Sequence, residues 1–307
     1  MTSTHFTAPL SAHSPEYRGR FAPSPTGPLH FGSLIAAVAS YADARHHGGA
    51  WLLRIEDVDT PRCVNGATEE ILRTLAACGM QIDGKVIYQS RRNDAYHAAL
   101  DRLRRQQQVY ACACSRREIA DSGLRGIEGP VYPGTCRDGI GDKAARAWRI
   151  DTRGAVIALD DAVQGRITQN IEHDIGDFVL YRADQIYAYQ LAVVVDDAEQ
   201  GITDVVRGAD LLDSTPRQIY LQQQLGLPTP RYLHVPVAVN AAGEKLSKQT
   251  RAQAVDAQHT LPALTAALGF LGQQPPAFAS VSELWTWAIA HWNRGRIPKT
   301  RALPAAA

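Results

Sequence analysis

Arg-Phe-Ala-Pro-Ser-Pro-Thr-Gly-Pro-Leu-His-Phe-Gly-Ser, residues 20–33, joins a short strand to a helix, and its reading decides the fold. Before it, Tyr17 to Phe21 reads as a strand. After it, the run Leu-Ile-Ala-Ala-Val-Ala-Ser-Tyr-Ala predicts a helix from Phe31 or Gly32 to about Arg45. A helix that opens directly after a parallel strand offers free backbone amides and the positive end of its dipole, a place suited to nucleotide phosphates. The prolines stiffen the approach, and Gly32 lets a ligand lie close to the backbone. The glycine spacing matches neither a dinucleotide fingerprint nor a Walker loop. His30 sits where an imidazole can donate to phosphate oxygens, although a lone histidine there is more often structural.

Working outward, Trp51 to Ile55 is the next apolar strand and runs into Glu56 and Asp57. Helices are predicted near 66–78, with Ile71, Leu72, Leu75 and Ala76 on one face, and near 92–106, with Tyr96, Ala99, Leu100 and Leu103. Strand alternating with helix implies a parallel sheet covered on both faces. Residues 107–180 break that pattern. They hold a cysteine cluster, a glycine-rich stretch at 122–141 and alternating segments such as Ala155 to Leu159, which predict antiparallel pairing. This is an insertion. The α/β pattern resumes at Ala188 to Val195, followed by a strand over Ile202 to Val206. In the next helix Thr215-Pro216-Arg217-Gln218 reads as a capping box with proline at the first helical position, and Gly226 and Pro228 close it. Two more helices are predicted near 261–270 and 282–292.

The chain therefore divides into a flexible tail (1–17), a first half of a nucleotide-binding domain (18–106) and an inserted module (107–180). A second half carrying a lysine loop (181–250) and a short helical C-terminal segment (251–307) complete it.

The 307 residues are 45% hydrophobic and 21% charged, an ordinary globular composition that excludes a disordered or fibrous chain. No apolar run approaches the roughly 18–20 residues of a membrane span. The tail lacks the apolar core of a signal peptide. A formal charge of +1 leaves no global electrostatic case for nucleic acid, so any RNA must be gripped by a local patch. Five cysteines, an odd and scattered set, argue against a disulfide framework and for a reducing cytoplasm. Three of them fall close together, at Cys112, Cys114 and Cys136. Zinc wants four ligands in a tetrahedron. No histidine lies between His97 and His173, which removes the usual substitute; Tyr132, four residues before Cys136, offers a phenolate, an unusual zinc ligand. On spacing alone, a zinc site and a packed strand residue fit equally well.

A second phosphate-handling element is Gly-Glu-Lys-Leu-Ser-Lys-Gln, residues 243–249, which holds two of the five lysines in the chain. Two ammonium groups on a glycine-led loop suit a clamp for charge developing on a transferring phosphate. Alone it would read as a solvated loop. Together, His-Phe-Gly-Ser (30–33) and Lys-Leu-Ser-Lys-Gln (245–249) resemble the two signature motifs of class I aminoacyl-tRNA synthetases. Arg-Phe-Ala-Pro-Ser-Pro-Thr-Gly (20–27) and Arg-Ile-Glu-Asp-Val-Asp (54–59) narrow the resemblance to the glutamyl branch. It extends through Tyr-Gln-Leu-Ala-Val-Val-Val-Asp-Asp (189–197) and Val-Val-Arg-Gly-Ala-Asp-Leu (205–211).

The resemblance implies an α/β fold, a Rossmann-type parallel sheet with an inserted zinc-containing α+β module and a short C-terminal helical segment. It implies an enzyme that uses ATP with Mg²⁺ to form glutamyl adenylate without tRNA. Only 59 residues follow Lys248, too few for the anticodon-binding region of the tRNA(Glu)- and tRNA(Gln)-charging members. The match is to the short paralogues, cytoplasmic and monomeric, that attach glutamate to queuosine in the anticodon of tRNA(Asp). The alternatives are a truncated enzyme charging the 3′ end of tRNA(Glu), or a catalytically dead RNA-binding module. By the same resemblance, Arg20, Phe21, Ala22, Pro23, Ser24, Glu56, Tyr189 and Arg207 form the glutamate pocket. Arg20 and Arg207 take the carboxylates, in either pairing, and Glu56 takes the ammonium. His30 and Gly32 contact ATP, and Lys245 and Lys248 stabilise the leaving phosphates. Cys112, Cys114, Tyr132 and Cys136 bind a structural Zn²⁺. Two departures stand out: the first motif is His-Phe-Gly-Ser where His-Ile-Gly-His is more usual, and the gap from Cys114 to Tyr132 is long. Arg116, Arg117 and Arg137 are candidate RNA contacts near the zinc module.

Overall fold

The computed structural model describes residues 16–127, 129–246 and 254–305. The predicted tail falls almost wholly outside them, and so does Lys248 of the lysine loop. Strand β1 (Arg18–Phe21) leads through helix α1 (Phe31–His46) to β2 (Ala50–Ile55), which pairs with it in parallel, Arg20 opposite Leu52. Helix α2 (Ala67–Ala77) then leads to the short β3 (Ile87–Tyr88). Helix α1 is apolar almost all round because it is buried almost all round, between the sheet and the C-terminal helices.

Helix α3 (Asn93–Arg105) precedes the inserted region. There β4 (Val109–Cys112), α4 (Arg116–Asp121), the two-residue pair β5 (Arg125–Gly126) and β6 (Gly129–Pro130), and β7 (Ala147–Ile150) follow in order. A hairpin of β8 (Val156–Asp161) and β9 (Gly165–Asn170), the single turn α5 (Ile171–Asp174) and β10 (Val179–Tyr181) complete it. Strands β4, β7 and β10 form an antiparallel sheet, and the alternating segment falls in the antiparallel pair of β8 with β9, as expected. In β8 every second residue, Ile157, Leu159 and Asp161, is buried.

Helix α6 (Tyr189–Glu199) returns the chain to the first sheet through β11 (Asp204–Gly208), α7 (Thr215–Leu225) and β12 (Arg231–Val235). Strand β11 starts two residues later than predicted. Gly201 is left-handed and the Ile202 amide donates to Asp197, so residues 200–202 close α6 instead of opening the strand. Gly226 ends α7 in the left-handed conformation, as expected. Finally β13 (Val237–Val239) pairs with β14 (Ala302–Pro304), and helices α8 (Thr260–Phe270) and α9 (Val281–His291) pack on α1.

The main sheet is wholly parallel, in the order β12-β11-β1-β2-β3. The chain builds outward from β1 through β2 and β3, then returns to build β11 and β12 on the other side. A crevice opens beyond the C-terminal ends of β1 and β11, where that direction reverses.

The C-terminal segment is pinned to this sheet through Asp43, buried on α1. Its carboxylate accepts hydrogen bonds from Tyr17 Oη (2.5 Å), Trp292 Nε1 (2.9 Å) and both Arg294 Nε and Nη2 (2.6 and 2.7 Å). Asp43→Ala would strand three donors. We expect about 3 kcal/mol of lost stability, read as a fall of roughly 5–10 °C in thermal unfolding. A shift under 2 °C would mean that these bonds contribute little.

Candidate active site

The crevice is a cavity of about 630 Å³, within the usual range for small-ligand sites. Its wall gathers Arg20, Phe21, Ala22, Pro23 and Ser24 from the end of β1, Glu56 from the end of β2, and Tyr189, Arg207 and Lys245. His30 and Gly32 from the start of α1 complete it. Every site residue expected around glutamate and ATP lines this one space, except Lys248, which lies outside the described residues.

The two arginines are not equivalent. Arg20 is buried and forked onto Asp197, with Nε 3.1 Å from Oδ1 and Nη2 3.3 Å from Oδ2. The fully buried Arg54 reaches the same Asp197 at 2.8 Å and Glu56 at 3.2 Å. Burial raises the Asp197 carboxyl, and Arg20 and Arg54 more than reverse it, so it stays ionised. Glu56 goes the other way: burial lifts its carboxyl above the usual range in spite of Arg54 and Arg20. Asp196 is occupied by Arg92, Gln89 and Tyr96.

Arg207 differs. It is buried and donates only to neutral acceptors: His234 Nε2 (3.0 Å), Tyr189 Oη (3.4 Å), Thr215 Oγ1 (3.0 Å), Gln218 Oε1 (2.8 Å) and the Leu211 carbonyl (3.5 Å). No carboxylate among the described residues lies within ion-pair distance of it. The capping box expected at the start of α7 does not form for the same reason. Thr215 and Gln218 turn their side chains toward Arg207, and Ser214 stands at the cap with its Oγ accepting from Gln190 and Arg217 instead of from a helix amide.

The phosphate end also departs from expectation in detail. His30 caps α1, its Nδ1 accepting the Ser33 amide at 3.3 Å. A Cβ on Gly32 would come within 3.1 Å of the Leu246 carbonyl and 3.2 Å of the His30 ring. Any larger residue there would press on the Leu246 carbonyl and the His30 ring, so the lysine loop would have to give by a few tenths of an ångström. Lys245 Nζ lies 2.5 Å from Asp210 Oδ2 at the cavity rim.

In the inserted region Cys112, Cys114 and Cys136 place their sulfurs within 4.8 Å of one another. Tyr132 Oη lies 3.5 Å from Cys112 Sγ and 3.8 Å from Cys114 Sγ, and Cys114 and Cys136 are 3.5 Å apart. A tetrahedral zinc with ligand bonds of about 2.0–2.3 Å sets ligand–ligand edges near 3.5–3.8 Å, and these three separations match it, while the three sulfurs as a set lie within 4.8 Å. Arg149 donates from Nε to Cys112 Sγ at 3.3 Å and lies 4.1 Å over the Tyr132 ring, a cation placed to offset thiolate charge. Burial and the Cys112 thiol push the Tyr132 phenol far above its usual range, a bias that a bound dication reverses. All five cysteines are free.

Of the arginines near this module, Arg117 is exposed. Arg137 is committed to Asp177 through two bonds of 2.6 and 2.9 Å, which removes it from the candidate RNA contacts. Arg116 borders a groove of about 370 Å³ shared with Tyr132, Arg149 and Arg217. No described helix is long and apolar enough to cross a membrane.

A parallel sheet with its crevice at the switch point, basic and acidic groups around one pocket and a lysine loop at the rim together define a class I synthetase catalytic unit. The family described as tRNA synthetases class I (E and Q), catalytic domain, matches residues 16–275, and the chain belongs to it. It is 59% identical over 289 residues to the glutamyl-Q tRNA(Asp) synthetase of Dechloromonas aromatica (strain RCB), covering 92% of this chain and 96% of that one. It is 56% identical over 284 residues to the glutamyl-Q tRNA(Asp) synthetase of Chromobacterium violaceum, covering 92% and 95%. Among solved structures, a glutamate-tRNA synthetase from Elizabethkingia anophelis superposes with a TM-score of 0.77 at 24% identity, over 95% of this chain and 68% of that one, a likeness of fold.

Proposed function

We propose that the protein activates L-glutamate with ATP, as its magnesium complex, and transfers the glutamyl group to the queuosine base in the anticodon of tRNA(Asp). One observation carries the amino-acid side of this reading: Arg207 is a buried cation facing the cavity with no acidic partner among the described residues. Arg20 and Arg54 are matched by Asp197 and Glu56, so the buried wall of the pocket holds one surplus positive charge, on Arg207, and glutamate brings one net negative charge. A carboxylate placed on Arg207 completes the charge balance that buried ions require. The raised carboxyl of Glu56 suits an incoming ammonium, whose charge would hold it ionised. The kinship with proteins named glutamyl-Q tRNA(Asp) synthetase supports the RNA side.

The chain's residues then do the following. Arg207, with Arg20 in support, orients glutamate so that its reacting carboxylate lies in line with the α-phosphorus of ATP. The new P–O bond forms as the bond to pyrophosphate breaks, and no general base is needed because the nucleophile is already ionised. Free amides at the start of α1 face the phosphates. Lys245 exchanges Asp210 for phosphate oxygens, and Lys248 is assigned to the same charge by its motif. In the second step a queuosine hydroxyl attacks the adenylate carbonyl and AMP leaves. The anticodon base must be splayed from its loop to reach the pocket. Residues 18–106 and 181–250 form the catalytic halves in this reading, and 107–180 holds one structural Zn²⁺ on Cys112, Cys114, Tyr132 and Cys136. Bound there, zinc supplies cross-linking and no chemistry, since four protein ligands leave no open position. We place the enzyme in the cytoplasm as a monomer.

The test is a charging assay with labelled glutamate, ATP and either tRNA. Label is expected on queuosine-containing tRNA(Asp), none on tRNA(Asp) lacking queuosine, and none on tRNA(Glu). Label on tRNA(Glu) alone would instead establish an enzyme that charges the 3′ end.

A further inference from the structure

Arg207 is held from behind by a line of buried polar groups that leaves the main sheet and ends in the inserted hairpin. Arg207 on β11 and His234 on β12 are register partners, so their side chains stand together on the sheet. His234 is completely buried; its Nε2 is 3.0 Å from Arg207 Nε and 3.2 Å from Thr215 Oγ1, and its Nδ1 is 2.6 Å from Asp161 Oδ2. Asp161 ends β8, and its other oxygen accepts the amides of Val163 (3.0 Å), Gln164 (2.9 Å) and His234 (3.2 Å).

The donor chemistry leaves one arrangement. A guanidinium Nε–H can only donate, so Nε2 of His234 presents its lone pair, and the proton sits on Nδ1, facing the Asp161 carboxylate. Burial lowers the imidazole to about 4, and Arg207 pushes the same way against the opposing Asp161, so the ring is neutral near pH 7.

We propose that Asp161 and His234 are positioning residues for the amino-acid pocket: Asp161 fixes the Nδ1–H tautomer of His234, and His234 thereby holds the Arg207 guanidinium in the orientation that receives a carboxylate. This rests on Arg207 binding glutamate as argued above. It also makes the inserted hairpin, 73 residues from His234 in sequence, part of the pocket's support. A core histidine serving only packing would need neither the tautomer nor the carboxylate.

Asp161→Asn tests it. The amide keeps an oxygen for the three backbone donors but turns an NH₂ toward Nδ1. The imidazole must then place its proton on Nε2, donor against donor with Arg207. In glutamate-dependent pyrophosphate exchange we expect KM for glutamate to rise about 10- to 100-fold. KM for ATP should stay within about twofold and kcat nearly unchanged, the pattern of a lost binding contact. His234→Gln supplies an acceptor for Arg207 without needing Asp161, so adding Asp161→Asn to it should change glutamate KM less than about twofold. ¹⁵N NMR of the wild-type imidazole, assigned by its loss in His234→Gln, should show the Nδ1–H tautomer. A glutamate KM unmoved by Asp161→Asn, equal rises in both KM values, additive effects in the double variant, or an Nε2–H tautomer in the wild type would each overturn the proposal. Wild-type protein giving no glutamate-dependent exchange would instead remove the functional reading, and the NMR result would still decide the tautomer.

Discussion

Arg207→Met is expected to reduce kcat/KM for glutamate by about 10³-fold or more in pyrophosphate exchange while leaving the protein folded. The size follows from where the charge sits. With Arg207 gone, a glutamate carboxylate would enter a buried wall in which every other cation is already paired, by Asp197, Glu56 or Asp196. An uncompensated buried charge costs about 3–5 kcal/mol, a factor of roughly 10²–10⁴. Folding is expected to survive because the acceptors Arg207 leaves behind, on His234, Thr215, Gln218, Tyr189 and Leu211, are neutral. Arg207→Lys should fall between: it keeps the charge but loses the fork that serves five acceptors at once, a loss of about 10- to 100-fold. KM for ATP is the internal control and should move little in both variants. Activity of Arg207→Met within tenfold of wild type would show that the carboxylate is held elsewhere, and Arg20 would then have to release Asp197 to hold it.

What could be read from the chain, and what could not, divides along sequence distance. The parallel sheet was legible because each of its early strands is followed by a helix, α1 from a continuous apolar run and α2 and α3 from periodic faces, and because the chain changes from apolar to acidic at Ile55 and Glu56, where β2 ends. Arg207 was legible through its motif, but its surroundings were not. Thr215 and Gln218 look locally like a helix cap, since a window of four residues cannot include a guanidinium eight residues upstream that competes for the same side chains. Gly32 was assigned to ligand approach, and the structure gives it a nearer neighbour, the carbonyl of Leu246, from a loop more than two hundred residues on. Asp197 lay inside a recognised motif without a stated role, because its pairing with Arg20 spans 177 residues. Asp161 and His234 carry no local signal of any kind. Their meaning arises only where a hairpin of the insertion reaches the edge strand of the main sheet. For Tyr132, spacing left two readings open; the structure sets its oxygen 3.5 and 3.8 Å from two sulfurs and also as acceptor of the Cys136 amide, geometry that either reading allows.

Removing the metal from the inserted module is expected to unfold that module while the main sheet persists. Beyond the Arg137–Asp177 pair, the described residues from Ala113 to Arg146 have little to hold them: one helix of six residues, two strands of two residues each, and a cluster whose buried members are Cys112, Tyr132 and Cys136. So small an apolar nucleus cannot offset the entropy of ordering more than thirty residues at about 1–2 kcal/mol each. A metal bound by three thiolates and a phenolate would add its binding free energy, on the order of 10 kcal/mol, to the segment's packing and hydrogen bonds as folding free energy, enough for its loss to tip the segment toward the open state. Metal analysis should therefore find one zinc per chain. Cys136→Ser or a strong chelator should raise the rate of limited proteolysis within 113–146 by more than about tenfold, because cleavage follows the population of the opened segment. The two large apolar layers against the main sheet do not include these residues, so adenylate formation should be affected far less than transfer to tRNA. Tyr132→Phe is the discriminating variant. It keeps the ring under Arg149 and removes only the oxygen, so a chain that lost zinc affinity would identify the phenol as a ligand. A variant that bound zinc as tightly as wild type would return Tyr132 to packing and require a different fourth donor.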